Sequence, residues 1–230
     1  MMRPLLWKDF RLNSLIWWIG LALGILPYVG AVALAMLRGG PSWPGAMFWS
    51  AVLTQAALLS LAGSELTLAL LGGNAIACER ADRSAEFLAY LPPSRAQVLG
   101  SKTLVALGAA ALIWVPNLFI ADVLAPALQD GSVDVAVLRQ ASLRWVLAAT
   151  GLLLFGAGWL GSAVVDSPAV AVGFGFGVWI TVIATLAAFT NTLGWPDAER
   201  VMDWYTATGA VLGVFCFGIG SCLYLRRISP

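Results

Sequence analysis

Residues 77–102 read ACERADRSAEFLAYLPPSRAQVLGSK, the one long charged interval in a chain otherwise built of apolar runs. The interval holds Glu79, Arg80, Asp82, Arg83, Glu86, Arg95 and Lys102. Glu79 and Arg83 stand four residues apart in the order that supports a helix, and Phe87, Leu88 and Leu91 follow before Pro92-Pro93 ends it. That pattern predicts a short helix outside the bilayer. Ser94-Arg95-Ala96-Gln97 then has the form of a capping box, in which the serine oxygen and the glutamine amide satisfy orphan donors at a helix start. A new helix is expected to begin there and to enter the membrane past Lys102.

On either side of this interval the chain has the composition of a membrane protein. Of 230 residues, 60% are hydrophobic and 11% charged, and the mean hydropathy is +0.86. Soluble domains carry roughly 25% charged residues. A crossing helix needs about 20 apolar residues, so the length accommodates about six crossings in one membrane domain spanning residues 1–230. The expected class is an all-α integral membrane protein with six transmembrane helices, an N-terminal interfacial helix and a short cytoplasmic helix between the second and third crossings. A net charge of +1 gives no support for a nucleic-acid partner. The absence of histidine removes the commonest general base and metal ligand. Cys78, Cys216 and Cys222 form no framework and read as apolar filler. Catalysis within this chain is not expected.

Before the first crossing, residues 3–12 put Pro4 in a first helical turn, Leu5 and Leu12 on one face and Lys8 and Arg11 elsewhere. Two readings fit, an interfacial helix or a basic flank that sets topology, and Asp9 near the apolar face counts against the first. The run from Leu15 to Leu37 exceeds a signal-peptide core, so a first crossing without cleavage is expected. Residues 47–74 form the second, with Glu65 near mid-membrane. A carboxylate there should face other helices or water, either on a translocation path or as a hydrogen-bonded carboxyl at a helix contact.

The third crossing is expected over 103–123, kinked by Pro116 and with Asp122 near its outer end. An outer loop over 125–140, a fourth crossing over 141–165 and a tight inner turn at Asp166-Ser167-Pro168 follow. The fifth crossing, 169–190, contains Gly173 and Gly177 in a GxxxG pair, and the sixth, 207–225, contains Gly209 and Gly213. Both pairs suit close helix packing. The polar stretch 191–206 suits short helices at the outer mouth. This layout puts nine basic residues inside (Arg3, Lys8, Arg11, Arg80, Arg83, Arg95, Lys102, Arg226, Arg227) and four outside (Arg38, Arg139, Arg144, Arg200), which predicts cytoplasmic termini.

Glu79-Arg80, Leu91-Pro92, Ser94-Arg95 and Lys102, with the basic N-terminus and six crossings, resemble the permease subunits of ABC transporters of the ABC-2 export class. The resemblance implies that the charged interval is a coupling helix and that a separate ABC ATP-binding subunit, holding ATP and Mg²⁺, drives the chain. It also implies pairing with a second permease copy, homologous or identical, in the cell inner membrane. Residues expected at the ATPase contact are Glu79, Arg80, Arg83, Glu86, Leu91, Pro92 and Asp166, and those on a translocation path Glu65 and Asp122. Gly100-Ser101-Lys102-Thr103 lacks the spacing of a phosphate loop, so no cofactor is expected in this chain. Two alternatives stand beside an exporter subunit: a secondary transporter using Glu65 as a proton or cation site, and a non-transporting membrane scaffold.

Overall fold

A computed structural model describes residues 2–38, 45–81, 94–128, 135–193 and 198–226. Every element among them is helical. Lipid offers backbone N–H and C=O groups no partners, so each crossing segment must satisfy its own. The order is α1 (Met2–Leu12), α2 (Ser14–Arg38), α3 (Ala46–Asn74), α4 (Ala77–Ala81) and α5 (Arg95–Phe119), which runs through a π-helical turn, Ile120–Leu124, into α6 (Ala125–Ala127). Then come α7 (Val135–Val164), α8 (Pro168–Leu193) and α9 (Ala198–Arg226). Among the described residues six helices (α2, α3, α5 with its extension, α7, α8 and α9) are long and apolar enough to cross a membrane, and the chain is a multi-pass membrane protein. Six crossings leave α1 and the end of α9 on one face of the bundle, called here the terminal face.

The helices are not equivalent. The most apolar windows of α3 and α7 are 72% and 67% buried, against 11–33% for the other four, so these two form the centre. Helix α2 packs on α3, α8 and α9 pack on α7, and α5 leans on α3 while carrying α1 and barely touching α9. Small residues let the central backbones meet, as expected where lipid cancels any hydrophobic drive between helices. A Cβ at Gly158 would lie 2.9 Å from the Gly73 nitrogen, and one at Gly213 would lie 2.6 Å from the Leu152 carbonyl oxygen. Larger side chains at these crossings would force α3, α7 and α9 apart.

The GxxxG glycines do not all pack. Of the α9 pair the close contact is Gly213, while a Cβ at Gly209 would meet Ala149 at an ordinary 3.5 Å; Gly220, outside the pair, also packs closely, on Trp159 and Leu160. In α8 a Cβ at Gly173 or Gly177 would meet nothing within 4 Å among the described residues; Gly175 between them packs on Gly158 and Leu154. Two further expectations change at the end opposite the termini. Residues 135–140, expected as loop, already belong to α7, and 198–206, expected as separate short helices, are the first turns of α9. A helix that has left the hydrocarbon can keep its own hydrogen bonds with charged side chains attached, and Glu199 in the first turn of α9 suits the dipole there. Pro116 lies inside α5, and the disturbance downstream is the π turn, where the Ala125 N–H reaches the Ile120 carbonyl. The capping box forms as expected: the Gln97 N–H donates to Ser94 Oγ at 3.3 Å and the Ser94 N–H to Gln97 Oε1 at 3.0 Å.

Candidate functional site

On the terminal face four charged side chains from three elements converge. Asp9 of α1, Glu79 of α4 and Lys102 of α5 are buried, with side chains 1%, 3% and 5% exposed, and Lys8 is partly covered. Lys8 Nζ donates to Glu79 Oε1 at 2.5 Å and Lys102 Nζ lies 3.1 Å from the same oxygen. Asp9 Oδ1 lies 3.8 Å from Lys8 and 3.6 Å from Lys102, while the Ser101 hydroxyl donates to Asp9 Oδ2. Two cations and two anions balance, which is what permits their burial. Asp9, which spoiled the apolar face of α1 in the sequence, is the residue that face is built around.

Local structure positions each member. Asn13 interrupts α1 and α2 for one residue, its N–H still bonding the Asp9 carbonyl, while its side-chain amide also donates to that carbonyl at 2.8 Å. Asn74 at the end of α3 donates to Asn13 Oδ1 at 2.9 Å, pinning this corner to the second crossing. The capping box starts α5 at a fixed residue and so brings Lys102 to Glu79. Beneath the charges lies an apolar layer of Ile76, Trp159 and Ala163, with Leu99 and Tyr224 packed against it. The Ser101-Lys102-Thr103 run is helical and its ammonium is held in ion pairs, so this run is no phosphate cradle.

Arg80 and Asp166, expected at two separate contacts, meet each other. Arg80 Nη1 donates to Asp166 Oδ1 at 3.1 Å, and Nη2 to the Ala163 carbonyl at 2.8 Å, closing the C-terminal end of α7. Asp166 keeps a largely exposed side chain, whereas Glu79 faces inward. Arg83, Glu86, Leu91 and Pro92 lie outside the described residues. The exposed aromatic face of α1, with Trp7 stacked on Phe10, points away from the charges.

A second polar group sits within the crossings. The Trp179 indole N–H donates to the Tyr205 oxygen at 3.0 Å, and Tyr205 and Thr150 hydroxyls lie 2.6 Å apart. Thr150 also donates to the Val146 carbonyl at 2.9 Å, so the single hydrogen on each hydroxyl makes the order Trp179 to Tyr205 to Thr150 to Val146. This relay ties α8, α9 and α7 and leaves no donor over. Both carboxyl oxygens of Glu65 on α3 are buried without a hydrogen-bond partner among the described residues. Asp122, the other residue expected on a path, is in the π turn and pairs with Arg144 of α7, joining the far ends of two crossings. The structure does not bring it to Glu65.

The sequence missed Lys8 and Asp9 as partners of the charged interval, and Thr150, Trp179 and Tyr205 altogether. Asp9 on an apolar helical face was the signal for the first pair; the relay residues carry none, being common residues in unremarkable runs. No family model matches the chain, and no curated protein matches it.

Proposed function

We propose that the chain is the membrane-spanning permease subunit of an ATP-driven exporter of the ABC-2 type, working with a separate ATP-binding subunit and a second permease copy. The observation that carries this reading is the Lys8–Asp9–Glu79–Lys102 network, because it makes one block of α1, the end of the second crossing and the start of the third. Arg80 extends the block to the turn after the fourth crossing through Ala163 and Asp166. A partner pressing on the interval after α4 or on Asp166 would move several crossings together, as conversion of ATPase motion into alternate opening requires. In this reading the terminal face is cytoplasmic, α1 lies in the interface, and the interval through Pro92 is the coupling helix. Glu79 then acts as an internal link, and the partner grips Arg83, Glu86 and the exposed Asp166. The Gly173–Gly177 face of α8, which meets nothing among the described residues of its own chain, is the surface for the second copy.

The test is capture of the tagged chain from its native membrane. Recovery of an ATP-binding subunit, lost in an Asp166→Arg variant that still reaches the membrane, is expected. Capture with no ATP-binding subunit overturns the reading. The unpartnered Glu65 favours one alternative, a secondary transporter with Glu65 as ion site. Uptake that follows an imposed proton gradient in vesicles without ATP would establish it.

A further inference from the structure

We propose that the cleft between α5 and the α7–α9 pair binds a lipophilic monovalent cation, with Glu65 as its counter-ion. The proposal deepens the transport reading and rests on it only for the idea that the bound molecule moves on. Because α5 leans on α3 and barely meets α9, a cavity of about 430 Å³ remains, walled by Leu68, Ala110, Trp114, Gly151, Phe155 and Phe217 among others. Its size falls in the range of roughly 300–1,000 Å³ typical of small-molecule sites. The lining is almost wholly apolar, and Phe155 and Phe217 stack at 5.9 Å.

Apolar walls alone would admit any greasy molecule, including a lipid chain. Charge selection comes from Glu65. A Cβ at Gly151 would lie 2.9 Å from Glu65 Oε2, so the carboxyl lies directly against a glycine backbone that also lines the cavity. Any larger residue at 151 would push the carboxyl away. Both carboxyl oxygens are buried behind Gly151 with no hydrogen-bond partner among the described residues, and they cannot borrow a donor from Tyr205 or Thr150, whose hydrogens the relay has used. A positive charge resting on Gly151 would gain an opposite charge in a medium that screens poorly, and the Trp114, Phe155 and Phe217 rings would add their own attraction. The ionised carboxylate would repel an anion, and a neutral molecule without an N–H or O–H donor would gain nothing from Glu65. The ligand class is therefore an apolar body with one positive charge.

The test is equilibrium binding of tritiated tetraphenylphosphonium to the full chain in phosphatidylcholine nanodiscs. Saturable binding is expected, displaced by tetrabutylammonium and not by neutral triphenylmethane, which has no hydrogen-bond donor. Glu65→Gln should weaken it at least tenfold, Glu65→Asp, which keeps the charge, only a few-fold, and Ala110→Phe, which fills the cleft, should abolish it. Binding no greater than to empty nanodiscs overturns the proposal, as does undiminished binding by Glu65→Gln or by Ala110→Phe. If Glu65→Asp loses as much as Glu65→Gln with unchanged helicity and elution volume, the counter-ion role is overturned. No ATPase or nucleotide is present, so failure here leaves the ATP-coupled reading standing, and failure to capture an ATP-binding subunit leaves this site standing.

Discussion

Glu79 and Lys102 stand on opposite sides of the charged interval and meet at 3.1 Å in the interior, with Lys8 on the same carboxylate oxygen at 2.5 Å. The interval is thereby closed at its base by an ion pair, and the N-terminal helix is locked onto it. A carboxylate read from the sequence as an outward-facing contact is a keystone.

Replacing Glu79 by Gln leaves two ammonium groups with Asp9 alone, at 3.6 and 3.8 Å. Breaking a buried pair by removing one partner costs about 3–5 kcal/mol. Denaturant unfolding of the chain in micelles should show a loss of that order. Lys8→Met, at a partly exposed site, should cost less, and the double variant should be less destabilised than the sum. Additive losses would mean that the two residues do not interact.

Arg80→Ala should destabilise more than Asp166→Ala. Arg80 serves both the Ala163 carbonyl and the carboxylate, while the Asp166 side chain is 79% exposed. Exposed ion pairs contribute about 0–1 kcal/mol, and hydrogen bonds from charged groups about 1.5–3 kcal/mol. The same unfolding assay reads both, and an equal effect would place the stabilisation in the ion pair alone.

Tyr205→Phe removes the acceptor of the Trp179 indole and the donor to Thr150. A buried donor left unsatisfied costs about 1–3 kcal/mol. Thermal unfolding should shift down accordingly, with tryptophan emission reporting the change at Trp179. An unchanged midpoint would show that the relay is not a stabilising contact.

Glycine substitutions should divide by face. Gly213→Ala puts a methyl group 2.6 Å from the Leu152 carbonyl and should unfold the α7–α9 crossing at lower temperature. Gly177→Leu enters open space within the chain and should leave the monomer's melting unchanged while weakening self-association. Sedimentation in density-matched detergent checks the second half; unaltered self-association would remove this face from the pairing surface.

Topology can be read by labelling. With Cys78, Cys216 and Cys222 replaced by serine, a cysteine at Ser132 should react with an impermeant maleimide from outside intact cells. Reaction only after permeabilisation would reverse the orientation inferred from the basic residues.

The sequence by itself determined the class and most element boundaries, because lipid solvation leaves a long apolar run one solution, a self-bonded helix. Run length therefore located the crossings, and the Ser94–Gln97 box, a purely local motif, located the start of α5. Boundaries slipped where charged residues interrupt the apolar run, at Arg139 within 135–140 and at Glu199, Arg200 and Asp203 within 198–206, although the helix continues through both stretches. Tertiary structure alone decided which polar groups meet. Lys8 and Asp9 are far from Glu79 and Lys102 in sequence, and nothing in a one-dimensional pattern says which buried charge answers which. It also decided which glycines pack: Gly173 and Gly177 match the motif, yet Gly175 makes the contact, because rotation of a helix about its axis is set by its neighbours and not by its own spacing. Glu65 shows both halves: its place inside a crossing helix is legible from the run that contains it, whereas its lack of a hydrogen-bond partner among the described residues is a matter of packing, with Tyr205 and Thr150 bonded to each other.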